Sequence, residues 1–125
     1  SIELINNETN TTHPDIPDNI SIYDINGPMF FGAAQNALKT LLAINENTNI
    51  VILNMKNVPM IDMTGIITLE YIGENFENKN KKLVFCGLNE RILKKLEKAH
   101  FHFDGVTLKS FDNLSDSITY SKSII

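Results

Sequence analysis

Residues 49–76 constrain this chain more than any other stretch. They read as one unit: a strand over residues 49–54, a short connection through Asn57, Val58 and Pro59, then Met60-Ile61-Asp62-Met63-Thr64-Gly65 opening a helix. Ile50, Val51, Ile52 and Leu53 form an unbroken apolar, largely β-branched run, the pattern of a strand buried on both faces; a half-exposed strand would alternate. Pro59 has no N–H to continue a ladder and ends the strand. Beyond Gly65, Ile66, Leu69, Ile72 and Phe76 recur at helical spacing, with Glu70, Glu74 and Glu77 toward the other side. A strand with no polar face to give to water requires helices over it, so this unit predicts an α/β domain.

Asp62, Met63, Thr64 and Gly65 lie between the apolar strand and the amphipathic helix, which places them at the carboxyl edge of the sheet, where open α/β sheets carry their functional loops. Asp and Thr oxygens can accept from the free N–H groups of a first helical turn. Glycine permits close approach of another group to the backbone. Taken alone, this tetrapeptide reads first as a helix cap.

The 125 residues suffice for one hydrophobic core and are too few for two, so residues 1–125 are read as a single domain. Net charge is −4, with no basic tail, which gives no reason to expect nucleic acid as a partner. The single cysteine, Cys86, cannot form an internal disulfide, so the fold is independent of an oxidising compartment and suits a cytoplasmic setting. Cys86 itself reads as a small core residue at a strand end. No apolar stretch approaches the ~20 residues of a membrane helix. The absence of an initiating Met suggests a fragment cut from something longer or a processed product.

In chain order, Ile2 to Ile5 suggests a short edge strand. Residues 6–19, polar and carrying Pro14 and Pro17, read as a mobile loop with His13 exposed. Residues 20–25 alternate and predict a strand with one face on the core. Asn26-Gly27 signals a turn, and Pro28 places the next few residues at an edge or a break of the sheet. Phe30 and Phe31 are expected in the core, anchoring a helix whose inner side carries Ala34, Ala37 or Leu38, and Leu41. Residues 77–82 form a charged turn and residues 82–86 an interior strand. A helix over residues 89–99 has Asn89 as N-cap, Ile92, Leu93, Leu96 and Ala99 inward, and Arg91, Lys94, Lys95 and Lys98 outward as a solvated face. His100 and His102 would share a face if extended, but a metal pair needs a third ligand that the sequence does not place. Gly105 turns the chain into a last strand over residues 106–108. A final helix then carries Leu114, Ile118 and Ile125 on one side.

Residues 49–65 resemble the STAS domain family, in which a strand, a loop and a turn of Asp, a small residue, Ser or Thr, and Gly lead into a helix. Gly27-Pro28-Met29-Phe30-Phe31-Gly32 sharpens the likeness: it is similar to the Gly-Pro-x-Phe-Phe lead-in of STAS domains that form the cytoplasmic tail of SulP-type anion transporters. Stand-alone anti-sigma-factor antagonists of the same family usually carry an Asp there, which this chain lacks. The resemblance covers nearly the whole chain outside residues 6–19. It implies a STAS fold, with a mainly parallel central sheet, an antiparallel edge contribution and about four flanking helices. It also puts Thr64 at the position phosphorylated in the antagonists, with Met63 where a small residue is usual, and makes Asp62, Met63, Thr64 and Gly65 a candidate partner-binding edge.

No phosphate-binding loop, dinucleotide fingerprint, nucleophile elbow or Cys-x-x-Cys occurs, and Thr64 has no base beside it, so neither an enzyme nor a cofactor is expected. The resemblance implies a regulatory or interaction domain on the cytoplasmic side of a membrane. Its partners would be its own transmembrane transport domain, and a second STAS domain or a cytoplasmic regulatory protein. The other reading is a stand-alone antagonist switched at Thr64, where an added charge of about −1.5 to −2 would alter binding with little change of fold.

Overall fold

A computed structural model describes residues 1–5 and 15–125. The order of elements is β1 (Ile2–Leu4), β2 (Ile20–Asn26), α1 (Phe31–Leu42), β3 (Ile50–Asn57), α2 (Met63–Asn78), β4 (Lys82–Cys86), α3 (Glu90–Lys98), β5 (Leu108–Phe111) and α4 (Leu114–Ser123). The strands lie in the order β1-β2-β3-β4-β5. The pair β1–β2 is antiparallel, and the others are parallel, with Ile52 opposite both Ile22 and Val84. This is the mainly parallel sheet with an antiparallel edge that the sequence predicts.

Each parallel step needs a crossover helix, and α1, α2 and α3 supply them over one face of the sheet. Tyr23, Ile25, Val51, Leu53, Leu83 and Phe85 point to that face and meet Ala37, Leu41, Ile66, Leu69, Ile72, Phe76, Ile92 and Leu96. Phe101 and Phe103 close this layer edge-on to Phe85, at ring separations of 6.1 and 5.6 Å. The opposite face carries Ile20, Ile22, Ile50, Ile52, Val84 and Cys86 under Ile118 of α4, with Ile16 alongside. Helices on both faces explain why the run from Ile50 to Leu53 has no polar position.

Several expectations are corrected. β2 is buried on both faces over Ile20 to Tyr23: Tyr23 and Ile25 lie in the helix-covered layer, while Ile20 and Ile22 pack in the opposite cluster with Ile16, Ile50 and Ile52. The last strand begins at Leu108 rather than 106: the Asp104 carboxylate accepts from the N–H groups of Val106 and Leu108 at 2.8 and 3.0 Å, holding the intervening chain in a turn. Val106 is consequently exposed. Leu93 is exposed as well, since only Ile92 and Leu96 of α3 reach the core, and Ile125 lies beyond the end of α4, whose buried face is Ser117, Ile118 and Ser121. The charged turn is shorter than the sequence suggests, because α2 runs on to Asn78 and Lys81 is buried. The Lys81 ammonium donates to the carbonyls of Asn45, Glu46 and Thr48 and so fastens the connection after α1. Of the polar loop, residues 6–14, His13 among them, lie outside the described residues.

Candidate functional site

The carboxyl edge is built from the loops after β2, β3 and β4, and they are tied to one another. The Gly27 N–H donates to the Asn57 carbonyl at 3.0 Å and the Met29 N–H to the Met60 carbonyl at 2.9 Å. The Asn57 side-chain amide donates to the Asn26 side chain at 3.0 Å, and that of Asn89 to the Pro59 carbonyl at 3.1 Å. Met29 and Ile61 form a further parallel bridge beyond the strands proper. This places Pro28 after a register shift at the end of β2, where its missing N–H costs no ladder bond.

Within this frame Asp62 caps α2: its backbone is extended and its carboxylate accepts from the Gly65 N–H at 2.9 Å. The cap reading of Asp62 is thus correct. Gly65 is buried, and a Cβ built on it would collide with the Met29 carbonyl and lie 2.6 Å from Cγ1 of Ile61. The group approaching this glycine is the protein's own backbone. Thr64 sits in the first turn, partly exposed; its carbonyl accepts from the Thr68 hydroxyl, while its own hydroxyl has no hydrogen-bond partner among the described residues. Met63 is 52% exposed, so the departure from a small residue projects into solvent and strains nothing.

Phe30 and Phe31 are not in the core. They are 42% and 66% exposed. Phe30 is the N-cap residue of α1 and Phe31 its first residue, and the inward position at this edge is filled by Met29, which is fully buried against Ile61. Met60 and Met63 at the start of α2 are exposed at the same edge, and Ile67 and Tyr71 carry the apolar surface along α2 at four-residue intervals. The sequence reading passed over Ile67 and Tyr71. Their spacing from Met63 was the available signal, a second apolar stripe opposite the core stripe.

Other chemistry-bearing groups lie elsewhere. Asp24, Asn54 and Cys86 share one register row across β2, β3 and β4, on the face covered by α4. Burial pushes the Cys86 thiol up to about 11, offset in part by the nearby Ser117 side chain, and the thiol donates to the Asn54 side-chain oxygen at 3.7 Å. The Cys86 thiol is therefore a protonated core group rather than a nucleophile. Burial likewise raises Tyr23. His100 and His102 have rings 6.3 Å apart, and His100 adopts a left-handed backbone, so the pair does not sit on an extended strand. Among the described residues no group of three or more His, Cys, Asp or Glu could hold a metal. No described helix is long and apolar enough to cross a membrane.

Fold and edge together define an α/β module whose distinctive surface is apolar and rigidly framed. The family model of the STAS domain matches residues 12–117. The chain belongs to the STAS domain family. Among solved structures it is similar to a sulfate transporter family protein from Wolinella succinogenes, with 30% identity over 91% of this chain and 93% of that one and a TM-score of 0.78. It is also similar to the STAS domain of a SulP transporter from Vibrio cholerae, at 29% identity over 90% of each chain and a TM-score of 0.71. A protein described as a putative anti-sigma factor antagonist, from Thermotoga maritima, shares the fold at 17% identity over 86% of this chain and 92% of that one, with a TM-score of 0.71. No curated protein matched the sequence.

Proposed function

We propose that this chain is the cytoplasmic regulatory and interaction domain of a SulP-family anion transporter, acting as a binding module and not as an enzyme. The observation that carries the reading is the exposed apolar edge of Phe30, Phe31, Met60, Met63, Ile67 and Tyr71. Exposed apolar surface of this kind marks a contact site. The loops beneath it are cross-tied, so a partner would meet a preformed surface and little ordering entropy would be lost on binding. Its leading partner is the transmembrane domain of the same transporter, with Asp62 to Gly65 in the contact; a second STAS domain or a cytoplasmic regulator is the next. The two transporter-related structures at 30% and 29% identity support this assignment. So does the Gly27-Pro28-Met29-Phe30-Phe31 lead-in, whose aromatics serve the surface and not the core.

The second reading, a stand-alone antagonist switched by phosphorylation, is favoured by one observation. The Thr64 hydroxyl is unpaired among the described residues and sits in the first turn of α2, where helix N–H groups and dipole tolerate a phosphate. Fractionation of the native host with an antibody to this domain separates the two. Recovery in a carbonate-resistant membrane pellet is the expected result. Recovery in the soluble fraction, together with phosphate incorporation that Thr64→Ala abolishes, would replace the transporter reading with the antagonist one.

A further inference from the structure

The two faces of the sheet are covered by unlike means. α1, α2 and α3 span one face, and each is also a crossover that sets two parallel strands side by side. α4 follows β5, the last strand of the sheet, so no strand depends on it for its place. It lies over β3, β4 and β5, above Ile50, Ile52, Val84 and Cys86. Its own side of that contact is thin. The buried positions of α4 are Ser117, Ile118 and Ser121, with Leu114 and Tyr120 packed at the margin.

The helix is also weak in itself. Its ten residues include four serines, a threonine and an isoleucine, all poorer helix formers than alanine or leucine, and ten are too few to remain helical off the surface. The Ser117 hydroxyl bonds back to the Asn113 carbonyl at 3.2 Å, but the Ser121 hydroxyl oxygen is buried without a hydrogen-bond partner. Docking leaves this atom dry, and release would let water satisfy it. α4 is held instead at its start, where the Asn113 side chain accepts from the Asp116 N–H at 2.8 Å, and at Tyr120, whose ring lies 5.1 Å from that of Phe111.

We infer that α4 is a latch: it leaves the sheet as a unit while the strands and α1 to α3 stay folded, and so uncovers and re-covers Ile50, Ile52, Val84 and Cys86. What carries this is the pairing of a serine-lined inner face with an apolar strand surface, in the one described helix that no crossover needs. Elements that move in conformational control come from the low-stability end of a structure. A partner that prefers either form shifts the balance by its difference in affinity for the two. The latch lies on the face of the sheet opposite α2, so it goes beyond the apolar carboxyl edge and holds whichever reading of that edge is right.

Cys86 is a built-in reporter. It is the single cysteine of the chain, it is fully buried, and Ser117 in the first turns of α4 lies near it, so fraying of the last turn alone does not uncover it. Labelling of the folded 125-residue chain with an aromatic disulfide reagent, in increasing urea, tests the latch. Below the unfolding transition Cys86 should react at least about 100-fold faster than global unfolding allows, and with little dependence on urea, because the opening exposes little surface. Thr119 is exposed in the middle of α4, and Thr119→Pro should raise the rate at least about tenfold while the amides of β3 and β4 keep their slow hydrogen exchange. Ser121→Ala, which removes the dry hydroxyl and favours the helix, should lower it about three- to tenfold. Labelling that follows global unfolding at every urea concentration overturns the inference. So does a rate that either substitution leaves unchanged, or a Thr119→Pro chain that loses protection throughout the sheet.

Discussion

The Met29 carbonyl occupies the space that a side chain on Gly65 would need. Through that one approach the loop after β2 is seated on the first turn of α2, and the two sequence motifs that set the chain apart become one surface. The Met29–Ile61 bridge and the bond from the Met29 N–H to the Met60 carbonyl hold the same junction from its other side.

Gly65→Ala should therefore destabilise the protein, although alanine is the better helix former by about 0.8–1 kcal/mol. Overpacking against backbone costs about 1–3 kcal/mol and reverses the sign. Gly32→Ala is the control, since nothing lies within 4 Å of a Cβ there, and it should be neutral or mildly stabilising. Urea denaturation of the two variants reads the difference.

Phe31→Ser should change stability by no more than about 0.5 kcal/mol, the range of surface substitutions. A core phenylalanine would cost about 3–5 kcal/mol on truncation. Thermal melting of the isolated domain separates these outcomes, and the same substitution should weaken whatever contact the carboxyl edge makes in the full protein.

How far the sequence carried the fold depends on where its signals are strong. The run from Ile50 to Leu53 and the stripe Ile66, Leu69, Ile72 and Phe76 are long and unambiguous, and they predict β3, α2 and helices on both sides of the sheet. Asp62 and Asn89 read correctly as caps because capping is local chemistry, visible in three or four residues. Phe30 and Phe31 misled because hydrophobicity says that a side chain prefers burial but not which of three adjacent apolar residues reaches the core; Met29 does. The start of β5 was misplaced because the Asp104 turn borrows the backbone of residues that look like strand. Lys81 was hidden in a charged run, since its partners lie more than thirty positions away.

Lys81→Met should lower stability by about 1–3 kcal/mol, because it removes a buried charged donor and leaves carbonyls between α1 and β3 without it. Hydrogen exchange should accelerate first at Thr48, whose N–H bonds the Asn45 carbonyl in the same turn.

Alkaline stability should report Cys86. The folded state holds the thiol proton up to about 11, against an ordinary value of 9.0, through burial first and the nearby Asp24 charge next. The unfolded chain therefore releases that proton earlier, so the contribution is intact below pH 9.0 and is lost as pH rises toward about 11. Cys86→Ala should flatten this limb of the stability–pH curve, and in the wild type a thiol reagent should react at pH 8 only as fast as the domain opens.

The most direct test of the central claim, that this STAS domain serves a SulP-type transporter, is the reading frame upstream of Ser1. The account predicts a continuous frame with ten or so apolar segments of about 20 residues each before the domain. A frame that opens within a few codons of Ser1 would contradict it and leave the Thr64 switch as the function to pursue.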